Sequence, residues 1–237
     1  MRRELHHLRT YLHDVRLGPY LARVGSSSLH EAIAMYQWNT HLSSSFHEVL
    51  SFVEVVFRNA VDPALRRWNR AESGVEEWLC SPAEPLSSII DARRIREIGN
   101  QAHRARKRRS PNHPRKNEPI SHDDLLANTT FGLWATLLPR KRGGGDPAIT
   151  RRLWEEALKG AFPYLRNDPH GHATGDRMRR LHALRNRVSH MENLLEVDVS
   201  ARLRDALQLV NSIDPDVHDW LRDSQRVRSV TSLRPFP

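Results

Sequence analysis

Apolar residues recur along this chain at intervals of three and four, and no stretch shows the sustained apolar/polar alternation, closed by turn residues, of a half-buried strand. The pattern predicts an all-α fold. A first helix is expected from near the start to about Val15, where Gly18 and Pro19 should break it. A second signal opens at Ser28 and runs towards Trp68, with Phe46, Val49, Leu50, Val53, Val56 and Ala60 on one stripe. It reads as one long helix or two nearly collinear ones, bent before Pro63. Past a loop near Ser73 and Gly74, a short helix is expected over residues 75–79 and a longer one over 85–106.

The next segment, RARKRRSPNHPRKNEP, is basic and full of breakers. Ser121 and Asp124 then offer a capping-box start for a helix to about residue 138. RKRGGGDP reads as a linker, followed by a helix over 147–161. After a loop of glycine, proline and histidine comes a helix over about 176–195, holding RNRVSH, and two shorter helices split at Asp214 and Pro215 close the chain. No repeat of solenoid length is visible. The linkers allow a front lobe at 1–110 and a rear lobe at 119–237 joined by the basic loop. Neither half has enough apolar stripes to stand alone, which favours a single domain over residues 1–237.

Composition narrows the partner class. No apolar run approaches the roughly 18 residues of a membrane span, the first residues lack the apolar centre of a secretion signal, and Cys80 is the only cysteine. These features point to a reducing cytoplasm. The formal net charge is +9, and of 37 basic residues only Lys107, Lys116, Lys141 and Lys159 are lysines, leaving 33 arginines. Such a field attracts polyanions, and guanidinium groups suit bidentate phosphate contacts and base stacking. A GC-rich genome explains the arginine and histidine abundance equally well, but the charge is physical whatever its origin.

RNA can be cut without metal when its own 2′-hydroxyl attacks the adjacent phosphate, given a base for that proton and a cation for the phosphorane. Histidine and arginine supply both. As a bare string, arginine, four residues, histidine says little: chance gives about two matches in this composition, and four occur, at Arg2/His7, Arg108/His113, Arg177/His182 and Arg185/His190. The first lies at a terminus and the second in the basic loop beside Pro111. The other two share one helix, whose stripe of Leu181, Leu184, Val188, Met191 and Leu195 should dock on a core. At about 100° per residue, His190, Asn186 and Asn193 share a face roughly opposite that stripe, with Arg185, Ser189 and Glu192 beside it. His182 falls near the flank of the stripe and reads as an edge-of-core residue. Arg185 and His190 are about 140° apart on a straight helix. They meet on one phosphate only if the helix ends between them or a second copy completes the site.

RNRVSHMEN resembles the string that marks the active site of HEPN ribonucleases in Abi-like abortive-infection proteins. YQWN at Tyr36–Asn39, LSSSF, and EVVFRNAV at Glu54–Val61 resemble the front of that family, FGLWATL at Phe131–Leu137 its middle, and the closing helices its end. The resemblance implies an all-α, HEPN-like helical bundle with long antiparallel helices, dimeric and cutting RNA without metal or cofactor, in phage defence or a toxin–antitoxin pair. It implies that Arg185 stabilises the scissile phosphate, that Asn186 orients it and that His190 is acid or base. Glu192 stands where the family often has histidine and then glutamate; Met191 replaces that histidine and leaves a second proton carrier unassigned. The resemblance also turns Glu54, Arg58 and Asn59 towards the rear motif, whereas the i,i+4 spacing of Glu54 and Arg58 is equally that of an intrahelical ion pair.

Arg104, Arg106, Lys107, Arg108, Arg109, Arg115 and Lys116 form a further expected RNA contact, or else a solvated loop. His6/His7 and His170/His172 lack the companions of a metal site, and the six tryptophans, among them Trp38, Trp134, Trp154 and Trp220, sit at core-like positions. Two other functions fit the same residues: a non-catalytic module holding a guide or antitoxin RNA, and a helical protein that uses its histidine face to dimerise.

Overall fold

The computed structural model describes residues 2–25, 28–141 and 146–236, with residues 2–6 as backbone alone. Helix accounts for 71% of the chain and no strand occurs among the described residues. Nor is any described helix long and apolar enough to cross a membrane. The basis of the fold is α2, Leu29–Ser73, a single helix of 45 residues and roughly 68 Å. Ser28 caps its start by accepting from the Glu31 amide, and Gly74 closes it with an N–H bond to the Arg70 carbonyl. Pro63 lies inside and does not end it, because the stripe on either side is packed. That stripe runs through Phe46, Val49, Leu50, Val53, Phe57 and Val61, with Val56 and Ala60 on its half-buried flank rather than at its centre.

α1, Arg2–Val24, packs along α2 with Leu17 and Tyr20 buried. It is broken at His13 (φ 61°, ψ 150°), not at Gly18–Pro19, and Pro19 is accommodated within the helix. Residues 75–79, expected as a short helix, form turns that bury Trp78 and Leu79. The helix expected over 85–106 is two: α3, Leu86–Ile89, and α4, Ala92–Arg108. Asp91 separates them by accepting from the Arg94 amide as a new cap. The Ser121/Asp124 capping box forms, but it starts only α5, His122–Leu126. Thr130 caps a separate helix, α6, Phe131–Leu137. The same happens to the helix over 147–161, which is α7, Pro147–Glu156, followed by a 3-10 turn at Leu158–Ala161. Part of the linker before it, residues 142–145, lies outside the described residues.

α8, His172–Ser189, packs on α2, α6 and α9, Val199–Ile213. Asp214 caps α10, Pro215–Ser224, as the Asp-Pro pair predicted, and a further helix, α11, Val227–Ser232, lies against α2. Buried apolar residues from all these elements form one contiguous cluster. Trp78, Trp134 and Trp154 are fully enclosed in it, and the Trp38 indole donates to the Val230 carbonyl at 2.9 Å. Trp220 departs from the core expectation: it is 57% exposed, its ring tilted against Phe52 at 4.7 Å.

One polar network lies inside this cluster. The buried Asp62 carboxylate accepts from the Trp78 indole at 2.8 Å and meets His122 Nε2 at 2.8 Å, tying α2 to the 75–79 turn and to α5. Burial opposes its charge, yet hydrogen bonds from His122 and Trp78 and the nearby Arg66 hold its pKa below the usual carboxylate value. Asp62→Ala leaves two buried donors without a partner, so it should lower unfolding stability by about 3 kcal/mol in denaturant melts. A carboxylate with a lowered folded-state pKa contributes stability above pH 3.8 that is lost as pH falls through its folded value. The wild-type loss of stability below pH 3.8 should therefore be shallower in the variant.

Candidate active site

α8 is anchored by Leu181, Leu184 and Val188, all buried. Gly175 lets its first turns press onto the chain after α6, where a Cβ would lie 2.1 Å from the Pro139 carbonyl oxygen. Arg180 forms a two-point pair with Asp205 of α9, at 2.8 and 2.5 Å. These contacts fix the rotation of α8 and so decide which side chains face the protein.

The helix ends earlier than its pattern predicts. His190 still donates its N–H to the Asn186 carbonyl at 2.9 Å, but Met191 turns to φ 53° and leaves the helix, 58% exposed and off the stripe. Three hydrogen bonds, two of them long-range, hold the exit: Arg16 donates to the Met191 carbonyl, Arg187 to the Asn193 carbonyl, and the Leu194 amide to the buried Asn39 side chain at 2.7 Å. Asn39, from YQWN, thus fixes the turn behind the motif. Leu195 is buried from this turn and not from the helix.

α8 ends at Ser189 with His190 as its cap, but the His190 N–H still bonds the Asn186 carbonyl, so His190 leaves the helix close to its helical direction. Its separation of about 140° from Arg185 persists within one chain. His190 is exposed, and Glu192 is turned to Arg187 at 3.6 Å. Arg185 belongs to another surface. It is half-buried and acts electrostatically on Glu54 of α2 and on His182 one turn before it. Asn186 Nδ2 approaches His182 Nε2 at 3.3 Å. An amide nitrogen only donates, so Nε2 accepts and the imidazole is the Nδ1–H tautomer. The ring lies parallel to Phe131 at 6.1 Å.

His182, Arg185, Asn186 and Glu54 therefore converge from two helices, with α6 supplying Phe131 and Gly132 and α4 supplying Arg94, whose charge also reaches His182. Burial first, then Arg185 and Arg94, lower the His182 pKa below 6.5 and favour the neutral ring. Burial raises the Glu54 pKa against the pull of Arg185 and Arg58. Glu54 and Arg58 form no ion pair within 4 Å, so the intrahelical pair their spacing allows is not made. Arg58, Arg94 and Arg185 are all half-buried, and none has a side-chain hydrogen bond or ion pair among the described residues; Arg58 Nε is fully enclosed without a partner. Arg58 and Arg185 share the one carboxylate of Glu54, and Arg185 and Arg94 act on His182, so positive charge exceeds negative charge around these residues. Asn59 does not join them. It is exposed, on the outer face of α2.

The basic segment divides in two. Arg109 and Arg115 clamp the buried Asp124 carboxylate, Arg115 at 2.9 Å, and Lys116 donates to the carbonyls of Lys107 and Arg109. These three side chains are engaged in holding the 109–121 segment. Arg104, Lys107 and Arg108 are exposed at the end of α4 and Arg106 is half-buried. His170 and His172 stand 5.9 Å apart, and no third acidic, histidine or cysteine side chain joins them among the described residues.

No family model, no curated protein and no solved structure matches this chain. The site is read from its own chemistry. Sequence reasoning placed Arg185 and Asn186 in it and missed the direction of His182, whose one available signal was its i,i+4 spacing to Asn186. Arg94 had none, since only the packing of α4 and α5 brings it near α8.

Gly132 limits the His182 edge of the site. A Cβ there would stand 3.0 Å from Nε2 and 3.2 Å from Cε1 of the imidazole. Gly132→Ala should therefore displace the ring while changing overall stability by no more than about 1 kcal/mol, helix propensity partly offsetting the crowding. The expected readout is a shifted His182 imidazole resonance and titration by NMR with an unchanged melting curve.

Proposed function

We propose that this chain is a metal-independent endoribonuclease of the HEPN type, acting as an abortive-infection effector or toxin. The observation that carries this reading is that Arg58, Arg94 and Arg185, all half-buried, make no side-chain hydrogen bond or ion pair among the described residues and act on one carboxylate, Glu54, and one imidazole, His182. A phosphodiester supplies the charge they lack. Arg185 stabilises the phosphorane, Asn186 orients the phosphate, and His190 exchanges a proton with the reacting oxygens from a second copy of the chain. The products of 2′-hydroxyl attack are a 2′,3′-cyclic phosphate and a 5′-hydroxyl. RNA is the substrate, an RNA or protein antitoxin the natural restraint, and the cytoplasm the site of action.

A second reading draws on the separation of Arg185 and His190 within one chain: the same arginines hold a guide or antitoxin RNA without cutting it. Ribonuclease assays distinguish the two. Arg185→Ala and His190→Ala should each lower cleavage by about 100-fold or more with melting temperatures near wild type, because neither side chain belongs to the buried stripe. Wild-type cleavage should persist in EDTA. RNA bound at full occupancy and left intact would favour the holding role.

The two-copy arrangement has its own test. When Arg185→Ala and His190→Ala chains, each inactive alone, are mixed in equal amounts, activity should return to about a quarter of wild type, because half of the dimers are mixed and each of these has one of its two sites intact. No recovery on mixing means that each site is built from one chain.

A further inference from the structure

We infer that the segment of α1 before His13 is the surface by which a second copy of this chain docks, each copy laying that segment in the groove that the other forms between α1 and the Met191 turn. The inference rests on the reading that a second copy supplies His190, and it names the contact that brings that copy there.

The buried side chains of α1 begin at Leu17. From His7 to Arg16 every side chain is exposed except that of Leu12, which is half-covered. A helix gains little net stability from its own hydrogen bonds in water, and this stretch carries apolar groups that its own chain leaves bare. Leu8, Tyr11 and Leu12 share one face, three and four residues apart, and Tyr11 and Val15 are 86% and 82% exposed. At His13 the backbone leaves helical dihedrals (φ 61°, ψ 150°), so the segment before it takes its own direction. Beside Val15 lies a groove of about 470 Å³, lined by Leu12, Val15, Pro19, Tyr20, Met191 and Glu192. Leu8, Tyr11, Val15 and Met191 are four of the nine large apolar side chains that stand exposed among the described residues, so uncovered apolar surface concentrates on this face.

Charge identifies the occupant. A net charge of +9 sets most of the surface of one copy against another. On this face cations and anions balance: Arg9 pairs with Asp14 at 2.7 Å, and Arg16, which donates to the Met191 carbonyl, lines the same groove as Glu192. Nucleic acid needs cations free to meet phosphate, and an acidic protein needs them too, whereas these are engaged. A second copy brings an apolar face of balanced charge to its identical counterpart, and its His7 and Arg9 approach the groove that holds Glu192. A two-fold axis repeats the contact, since segment and groove are both present in each chain. Met191 directly follows His190, so a copy seated in the groove stands beside that histidine.

Sedimentation of the full chain without RNA reads the contact directly. Wild type should be a dimer, and a Tyr11→Glu, Val15→Glu chain should have a dimer dissociation constant raised about 100-fold or more, because each copy would carry two carboxylates into an apolar contact. Val55→Glu, a charge at an exposed apolar position of α2, should leave the dimer intact. Disulfide trapping decides should the glutamate chain fail to fold. In a Cys80→Ser background, Tyr11→Cys chains are mixed with Met191→Cys chains, so that each chain holds one cysteine and a mixed disulfide joins the segment of one copy to the turn of another. On oxidation it should form about tenfold or more faster than when Val55→Cys replaces Tyr11→Cys. A dissociation constant within threefold of wild type in the glutamate chain, or trapping no faster than with Val55→Cys, overturns the inference and leaves the two-copy arrangement standing. A wild-type chain that stays monomeric overturns both, and cleavage of RNA by that monomer leaves the ribonuclease reading intact. A dimer that meets both expectations and leaves RNA uncut upholds the contact and overturns the ribonuclease reading alone.

Discussion

Burial of one face of α2 is the constraint from which the remaining architecture follows. A helix gains little net stability from its own hydrogen bonds in water, and this one gives up a further bond at Pro63. Its continuity over 45 residues comes from the packed stripe, in which Phe46, Val49, Leu50, Val53, Phe57 and Val61 each remove apolar surface from water, at about 1.5–3 kcal/mol for a large side chain. α1, α8, α9 and α11 are placed by the need to cover that face. Glu54 and Arg58 lie on the border of the stripe, so they are half-buried by geometry and not by any feature of their own.

That border position creates the electrostatics of the site. A carboxylate at the rim of a core is partly desolvated, which raises its pKa. An imidazole in the same setting is pushed towards its neutral form, and two arginines add to the push. Elsewhere the molecule pairs its buried-edge charges: Arg180 with Asp205, Arg109 and Arg115 with Asp124, Arg66 with Glu76 and Asp62. Arg58, Arg94 and Arg185 lack such pairs, as does the half-buried Arg234, which has two enclosed nitrogens without a partner and lies over the Trp38 ring.

Helical class, the start at Ser28, the capping box at Ser121, the split at Asp214–Pro215 and the docking of RNRVSH on a core were all legible from periodicity and local chemistry. Helix ends were less so. Periodicity continues smoothly across Ile90–Asp91 and residues 127–130, and only the cap hydrogen bonds of Asp91 and Thr130 reveal that the chain changes direction there. The break in α1 was sought at Gly18–Pro19 and lies at His13, a position with no breaker in its sequence. Within the site, the helical wheel put Arg185 and Asn186 on the polar side. It could not show which neighbouring helix each would meet, and that is what separates His182, facing Arg185 and Asn186, from the exposed His190.

α8 thus carries two polar surfaces. One, formed by His182, Arg185 and Asn186, is half-buried where α8 packs on α2 and α6. The other, with His190, faces outward beside the Met191 turn, which is held by hydrogen bonds through Arg16, Arg187 and Asn39. An exposed histidine on a mobile end would serve no geometry, whereas one fixed by Arg16, Arg187 and Asn39 can be presented to a second molecule at a constant angle. The division of labour follows from the helix itself. With about 100° between successive residues, a motif that spaces arginine and histidine five apart directs them about 140° from each other, which is why Arg185 is half-buried against the protein while His190 is exposed.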